Sequence, residues 1–342
     1  MSFIMNIRSV AKYESKILVR SWFFRIFTLL AVVFLGFFNF AMMLMEDNFG
    51  LWFAKSVSSN IPYLNLLLLN TGQAVVAVFL SSEFLKRDKK LDTFEVFYVR
   101  PLSNAEYVVG KIWGNLRVFL FLNLLVLAIV LAFNFMASGV TVDLPAYLVY
   151  FFLISIPTLI FIIGLSIFLM LLLKNQALTF ILLLGYIGLT LFYIQDKFYY
   201  LFDYMVYNLP LFKSTIVGFS NLELILNHRA IYFFAGLGFI FFTIFLFKRL
   251  PNARRSHYPW LFLSFCMFLL MVTAGFRHVR SILWEGEMRA LYTSINNKYV
   301  YEPKMAIDYY DISVEQKSET IRSVVGMEGT ALAASEVFIF CL

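Results

Sequence analysis

The chain has 342 residues, of which 61% are hydrophobic and 14% are charged. This composition excludes a soluble globular protein and is typical of a polytopic helical membrane protein. The net charge of +7 does not indicate a nucleic-acid partner, because basic residues that flank apolar segments follow the positive-inside rule. The two cysteines are too few for a disulfide framework or for a zinc site with the usual ligand spacings.

Residues 1–25 predict an amphipathic helix on the cytoplasmic surface. Ile4, Ile7 and Val10 belong to a set of apolar residues that alternates with charged residues at roughly helical spacing. An unstructured basic tail is the alternative, since Lys and Arg near anionic lipids often have no further function.

Seven stretches are apolar over about 20 residues, which is the length that a helix needs to cross a membrane. Six of them form a domain over residues 26–250, and the seventh lies within residues 251–276. Lys and Arg concentrate in the N-terminal segment and in the loops after the second and sixth spans. By the positive-inside rule, the N-terminus then lies in the cytoplasm and the segment after the seventh span lies outside. The predicted spans are residues 26–45, 61–80, 112–135, 147–173, 177–194, 230–247 and 259–276.

The loop at residues 83–111 combines a basic cluster with an amphipathic segment. Leu91, Phe94 and Phe97 recur at helical spacing among polar residues, and Pro101 ends the pattern. A topology signal needs the basic residues but not the large apolar ones. We therefore predict a short cytoplasmic helix that docks on a partner, with a solvated basic loop as the alternative.

Two segments of the later spans predict irregular structure. Pro157 predicts a kink in the fourth span, because proline removes a backbone donor and crowds the preceding turn. Residues 195–229 mix aromatic and charged residues, which favours an interfacial or re-entrant pair of short helices broken at Asn208-Leu209-Pro210. An aromatic belt without a gating role is the alternative for this segment.

Polar and charged side chains within the spans are few. Asn70 and Asn123 are among the amides that predict hydrogen bonds between helices. Arg117 lies near a cytoplasmic end, where its side chain is expected to reach toward the headgroups.

Residues 277–342 differ from the spans in character. Asn296-Asn297 predicts a turn, and the short alternating segments after it predict β-strands. We expect the beginning of a small β-rich extracytoplasmic domain. The apolar run that ends at Leu342 suggests that this domain is incomplete.

The sequence contains no motif for catalysis or for cofactor binding. The three histidines lack the spacing of zinc ligands. The segment at residues 104–112 lacks the first glycine and the Ser or Thr of a phosphate-binding loop. We therefore predict that the chain is not an enzyme and that it binds no metal or cofactor itself.

The residues around the loop follow an ordered pattern, which reads Asp92-Thr93-Phe94-Glu95, then Pro101-Leu102-Ser103, then Gly110-Lys111. This pattern resembles the coupling helix of permease subunits of ABC-2 type exporters, except that Asp92 replaces the usual glycine. The N-terminal surface helix and the six spans are also similar to that family's layout. The seventh span departs from the layout and resembles longer Bacteroidetes relatives, which fuse a permease half to extracytoplasmic parts and sometimes to an aminopeptidase.

The resemblance implies a multi-pass subunit of the inner (plasma) membrane that drives export with a separate ABC ATPase. ATP and Mg would bind to that ATPase, and the permease would pair with a second copy or a homologous half among membrane lipids. The coupling helices would contact the ATPase through Asp92, Phe94, Glu95, Phe97, Tyr98 and Arg100. Two other functions fit the sequence: the membrane anchor of a larger extracytoplasmic enzyme, and a secondary transporter or channel.

Overall fold

The computed structural model describes residues 3–44, 58–82, 102–136, 142–194, 196–209, 211, 213–214, 218–219, 221–247, 258–300, 305–317 and 320–332. This part of the chain is mostly helical and contains seven helical segments that are long and apolar enough to span a membrane. Each predicted span coincides with one of them. The helices are α1 (Phe3–Arg20), α2 (Trp22–Leu44), α3 (Asn60–Ser82), α4 (Asn104–Met136), α5 (Leu144–Tyr150), α6 (Ile156–Leu173), α7 (Gln176–Leu189), α8 (Leu222–Leu246) and α9 (Tyr258–Tyr299).

The predicted N-terminal helix is confirmed as α1, which ends at Arg20. Ser21 separates it from α2, the first span. The fourth span is divided by a π-helical turn at Phe151–Ser155, which joins α5 to α6. Pro157 is an early residue of α6, so this π-helical turn lies just before the proline, and the kink itself stays a prediction. A second π-helical turn, Thr190–Ile194, extends α7.

The core lies between α3, α4, α6 and α8. Leu66, Phe119 and Ile163 are among its fully buried side chains. Helices α6 and α8 approach closely because glycines face each other. A Cβ atom on Gly164 would lie 2.7 Å from the Gly236 carbonyl oxygen. Few side chains in the apolar stretches of α2, α7 and α9 are buried, as expected of helices that face lipid.

The segment between α7 and α8 differs from the prediction of two short helices. Its described residues include a single three-residue 3₁₀ turn, Phe198–Tyr200, followed by irregular backbone. Asp203, Tyr204 and Val206 are fully buried among the helices. The prediction failed because isolated turn bonds and side-chain donors of the surrounding helices, and not continuous helices, satisfy the backbone of this segment.

The chain divides into two compact units, Met1–His278 and Val279–Leu342, and the division falls within α9. The predicted turn at Asn296-Asn297 is wrong, because both residues lie inside α9. The predicted strands are confirmed. They are β1 (Met305–Lys317) and β2 (Thr320–Ala331), which form an antiparallel hairpin with an irregularity between Ile307 and Tyr309.

Candidate functional site

The residues predicted to contact an ATPase lie outside the described residues. These are Asp92, Phe94, Glu95, Phe97, Tyr98 and Arg100. The structure describes the segment that follows them, which begins at Leu102 and enters α4. It therefore shows how the end of the 83–111 loop is attached to the helices.

Ser103 and Glu106 fix the beginning of α4. The Glu106 backbone N–H donates to Ser103 Oγ at 3.1 Å, and the Ser103 N–H donates to Glu106 Oε2 at 2.6 Å. This reciprocal pair is a capping box, which satisfies N–H groups that a helix start leaves without partners. Asn6 of α1 adds a third bond, from its Nδ2 to Glu106 Oε1 at 2.9 Å. The S-x-x-E spacing of a capping box is present in the sequence, but the coupling-helix pattern gives Glu106 no role.

Glycines on α4 allow α1 to pack against it at close range. A Cβ atom on Gly110 would lie 2.7 Å from Val10 Cβ, and one on Gly114 would lie 2.7 Å from Glu14 Cβ. The two glycines are four residues apart and so share one face of α4, as in the small-residue contacts of membrane helices. Gly110, part of the predicted Gly-Lys pair, thus has a packing role.

Buried polar groups reinforce the contact between α1 and α4. Arg117 donates from Nη2 to the Ala11 carbonyl oxygen at 2.7 Å and from Nε to Ser15 Oγ at 2.5 Å. Ser15 in turn donates to the Gly114 carbonyl oxygen at 2.6 Å. The Arg117 side chain therefore bonds to α1 and does not extend to the headgroups as expected. Lys111 and Glu14 form an ion pair at 3.7 Å, and both side chains are 4% exposed.

The beginning of α4 also contacts the end of α8. Asn104 Nδ2 donates to the Phe247 carbonyl oxygen at 2.6 Å. The rings of Tyr107 and Phe247 stack with centroids 5.5 Å apart and planes 11° from parallel. We call the contacts of residues 103–117 with α1 and with the end of α8 the loop junction. The loop junction thus joins three helices, α1, α4 and α8.

A cluster of amides joins three helical segments near the middle of the core. Asn70 of α3 donates from Nδ2 to Asn123 Oδ1 of α4 at 3.1 Å, and Ser155 of the π-helical turn donates to the same oxygen at 2.8 Å. Asn123 donates from Nδ2 to Gln73 Oε1 at 2.8 Å. The predicted role of these residues in joining helices is confirmed.

Three consecutive residues between α7 and α8 have left-handed backbone. Phe198, Tyr199 and Tyr200 have φ values of 51°, 58° and 62°. This conformation costs roughly 1–2 kcal/mol for each residue with a Cβ atom, so other contacts must stabilise it.

Histidines of α8 and α9 hold this turn. His228 Nε2 lies 3.0 Å from the Tyr200 carbonyl oxygen, and His278 Nε2 lies 2.9 Å from the Tyr199 carbonyl oxygen. Because a carbonyl oxygen only accepts, both Nε2 atoms carry hydrogen and donate. The Tyr232 hydroxyl donates to the carbonyl oxygen of Leu201. The turn is thus fixed by side-chain donors from two helices.

Arg229 joins the buried segment to the π-helical turn. Its guanidinium donates to the Leu153 carbonyl oxygen at 2.7 Å, to the Tyr204 carbonyl oxygen at 2.9 Å and to Thr158 Oγ1 at 2.9 Å. A π-helical turn leaves carbonyl groups without their usual helical partners, and Arg229 supplies a donor for one of them.

Asp203 shapes the backbone that follows it. Its carboxylate accepts from the Tyr207 N–H at 3.0 Å and from the Asn208 N–H at 2.8 Å. Burial raises the pKa of this carboxyl, although the two N–H donors and the charge of Arg229 oppose the shift. The Tyr207 hydroxyl is hydrogen-bonded to Thr71 of α3. We call residues 198–209 the buried segment.

In the described part of the chain, no three side chains of His, Cys, Asp or Glu lie close enough together to hold a metal ion. No protein-family model matches the chain, and no curated protein matches it. The function therefore has to be inferred from the residues and their geometry.

Proposed function

We propose that the chain is the membrane-spanning permease subunit of an ATP-driven export system of the ABC-2 type. In this proposal a separate ATPase subunit binds ATP and Mg, and the chain pairs with a second permease copy or a homologous half. The chain spans the inner membrane with its N-terminus in the cytoplasm, and residues 83–111 dock on the ATPase. Seven apolar helices and the resemblance around residues 92–111 support this function.

The loop junction is the observation that carries the proposal. A docking loop can drive helices only if its end is rigidly attached to them. The capping box of Ser103 and Glu106 fixes the beginning of α4, the helix that follows the loop. The glycine contacts attach α4 to α1, and Asn104 attaches it to the end of α8. Movement of the loop would therefore be passed to several helices together.

The buried segment supports the proposal from a different part of the molecule. A permease that alternates between two accessible states needs a part that rearranges while its helices stay intact. The buried segment is held by side-chain donors such as His228, Tyr232 and Arg229, and not by a helical ladder. It can separate from α8 without breaking a helix, as a gate on the extracytoplasmic side would have to do.

Association with an ATPase tests the proposal. The chain is co-expressed with the ABC ATPase encoded nearest to its gene, and co-purification and permease-stimulated ATP hydrolysis are measured. Replacing Phe94 and Phe97 together with Ala should weaken both by at least about tenfold, because buried aromatic residues dominate binding at interfaces. The control replaces Phe37 and Phe40 of α2, which are exposed on a predicted span.

Equal loss in both double variants, or no loss in either, contradicts the docking role of the loop. Transport that survives ATP depletion but stops when an ion gradient is collapsed would instead establish a secondary transporter.

A further inference from the structure

The exposed face of α1 carries a row of four basic residues. Arg8, Lys12, Lys16 and Arg20 follow one another at intervals of four, and all four are exposed. Residues at this spacing lie on the same face of a helix. We propose that this basic row is a binding surface for anionic phospholipid headgroups of the membrane that the chain spans. The proposal needs a membrane protein but does not depend on ATP-driven export.

The opposite face of α1 is packed against the protein, so α1 cannot rotate about its axis to bury the basic row. Ala11, Glu14 and Leu18 are the buried residues of this helix, and Ala11 and Glu14 face α4. Arg117 and Lys111 bond to the same side of α1. The orientation of the basic row is therefore set by contacts within the protein.

The basic row has no negative counterpart in the described residues. The single acidic residue of α1, Glu14, is buried beside Lys111. None of the four basic side chains forms an ion pair with any residue that the structure describes. Like charges four residues apart on a helix repel each other. An anionic partner would remove this repulsion, whereas water and salt only screen it.

The position of the basic row indicates a lipid partner. Arg20 is separated from Trp22 by one residue, and α2, the first span, begins at Trp22. Trp22 is 75% exposed, and Tyr13 and Val19 on α1 are about half exposed. Tryptophan and tyrosine favour the membrane–water boundary, and basic residues beside a span are attracted to anionic headgroups. The basic row therefore ends where the chain enters the apolar phase.

Fluorescence quenching by brominated lipids tests the proposal. The full chain, with Trp52, Trp113, Trp260 and Trp284 replaced by Phe, is reconstituted in an equal mixture of phosphatidylglycerol and phosphatidylcholine. Bromine is placed on the phosphatidylglycerol in one sample and on the phosphatidylcholine in the other. The quenching ratio is the quenching of Trp22 by brominated phosphatidylglycerol divided by its quenching by brominated phosphatidylcholine. Random lipid contact gives a ratio of about one. Each bound cation should favour the anionic lipid about fivefold, which predicts a ratio of at least about five.

The ratio should fall to about one in the R8Q/K12Q/K16Q/R20Q variant, and salt should lower it in the parent chain. The matched control, R280Q/R289Q/K298Q/R322Q, removes four exposed basic residues elsewhere and should keep the parent ratio. A parent ratio near one overturns the proposal, as does an unchanged ratio in the first variant. A parent ratio near one, combined with loss of a co-purified ATPase in the first variant, would show that the basic row binds protein instead.

Discussion

The loop junction and the buried segment hold the chain together in opposite ways. At the loop junction, regular helices with their backbone groups satisfied internally approach closely because Gly110 and Gly114 lack side chains. In the buried segment, irregular backbone exposes carbonyl groups, and His228, Arg229 and His278 must donate to them. Removing a donor there leaves a buried acceptor unpaired, whereas at the glycine contact of α1 and α4 an added methyl group is enough to destabilise the packing. The two regions therefore respond to different substitutions.

Arg229→Met should have the largest effect on stability. It removes donors to the Leu153 and Tyr204 carbonyl oxygens and to Thr158 in a buried position. We expect the free energy of unfolding in detergent to fall by about 3–5 kcal/mol, the usual cost of breaking a buried charged network. Arg277→Met is the control, because the ion pair of Arg277 with Glu223 has side chains 64% and 72% exposed. A pair so exposed should contribute no more than about 1 kcal/mol.

Equal losses of unfolding free energy in the two arginine variants would contradict this prediction. The buried segment would then not depend on its side-chain donors.

Gly114→Ala should have the next largest effect. The new Cβ atom would lie 2.7 Å from Glu14 Cβ and 2.9 Å from the Ala11 carbonyl oxygen, so α1 must shift away from α4. Overpacking of this kind typically costs about 1–3 kcal/mol. Chemical unfolding measures the loss, and trypsin cleavage within α1 measures its detachment.

Gly185→Ala on α7 is the matched control, because a Cβ atom there meets nothing within 4 Å. Alanine favours the helix over glycine by up to about 1 kcal/mol, so this variant should be unchanged or more stable. If Gly114→Ala behaves in the same way, α1 is not held by close approach.

His278→Phe should have a smaller and more local effect. It removes the donor to the Tyr199 carbonyl oxygen, which lies in the left-handed turn. A lost hydrogen bond of this kind costs about 0.5–1.5 kcal/mol, so hydrogen exchange at residues 198–204 should quicken by roughly 2- to 13-fold. His278→Gln keeps a nitrogen donor and should restore most of the protection. Faster exchange in the Gln variant alone would show that ring packing, and not the donor, holds the turn.

The sequence allows prediction of some of these features and not of others. The seven spans follow from local apolar length, and α1 follows from the helical spacing of Ile4, Ile7 and Val10. The capping box was also readable, because Ser103 and Glu106 have the required spacing. The glycine pair of α4 was visible as a pattern, but nothing local identifies α1 as its partner.

The buried segment could not be predicted from its own residues. No glycine marks Phe198–Tyr200 as left-handed, and the donors that stabilise it are 28 and 79 residues away along the chain. Local propensity therefore favoured short helices, and tertiary hydrogen bonds overrode it. The residues expected to contact an ATPase, Asp92 to Arg100, lie outside the described residues, so their role stays a prediction.

Asp203→Asn gives the smallest expected effect, which appears in the pH dependence of stability. Burial raises the pKa of the Asp203 carboxyl above its ordinary value of about 3.9. The folded chain then binds this proton more readily than the unfolded chain. The resulting stabilisation is fully present below about pH 4 and is lost as the pH rises through the folded-state pKa. Asparagine does not titrate in this range.

Thermal unfolding midpoints of the parent chain and of Asp203→Asn should therefore be compared from about pH 4 to pH 7, with Asp311→Asn as the baseline for an exposed carboxyl. The midpoint of the parent chain relative to Asp203→Asn should fall as the pH rises, because ionising a buried carboxyl costs free energy that the Tyr207 and Asn208 N–H donors offset only in part. A relative midpoint that rises with pH would mean that these donors and Arg229 outweigh burial. The buried segment would then be stabilised by an ionised carboxylate that accepts from two backbone N–H groups.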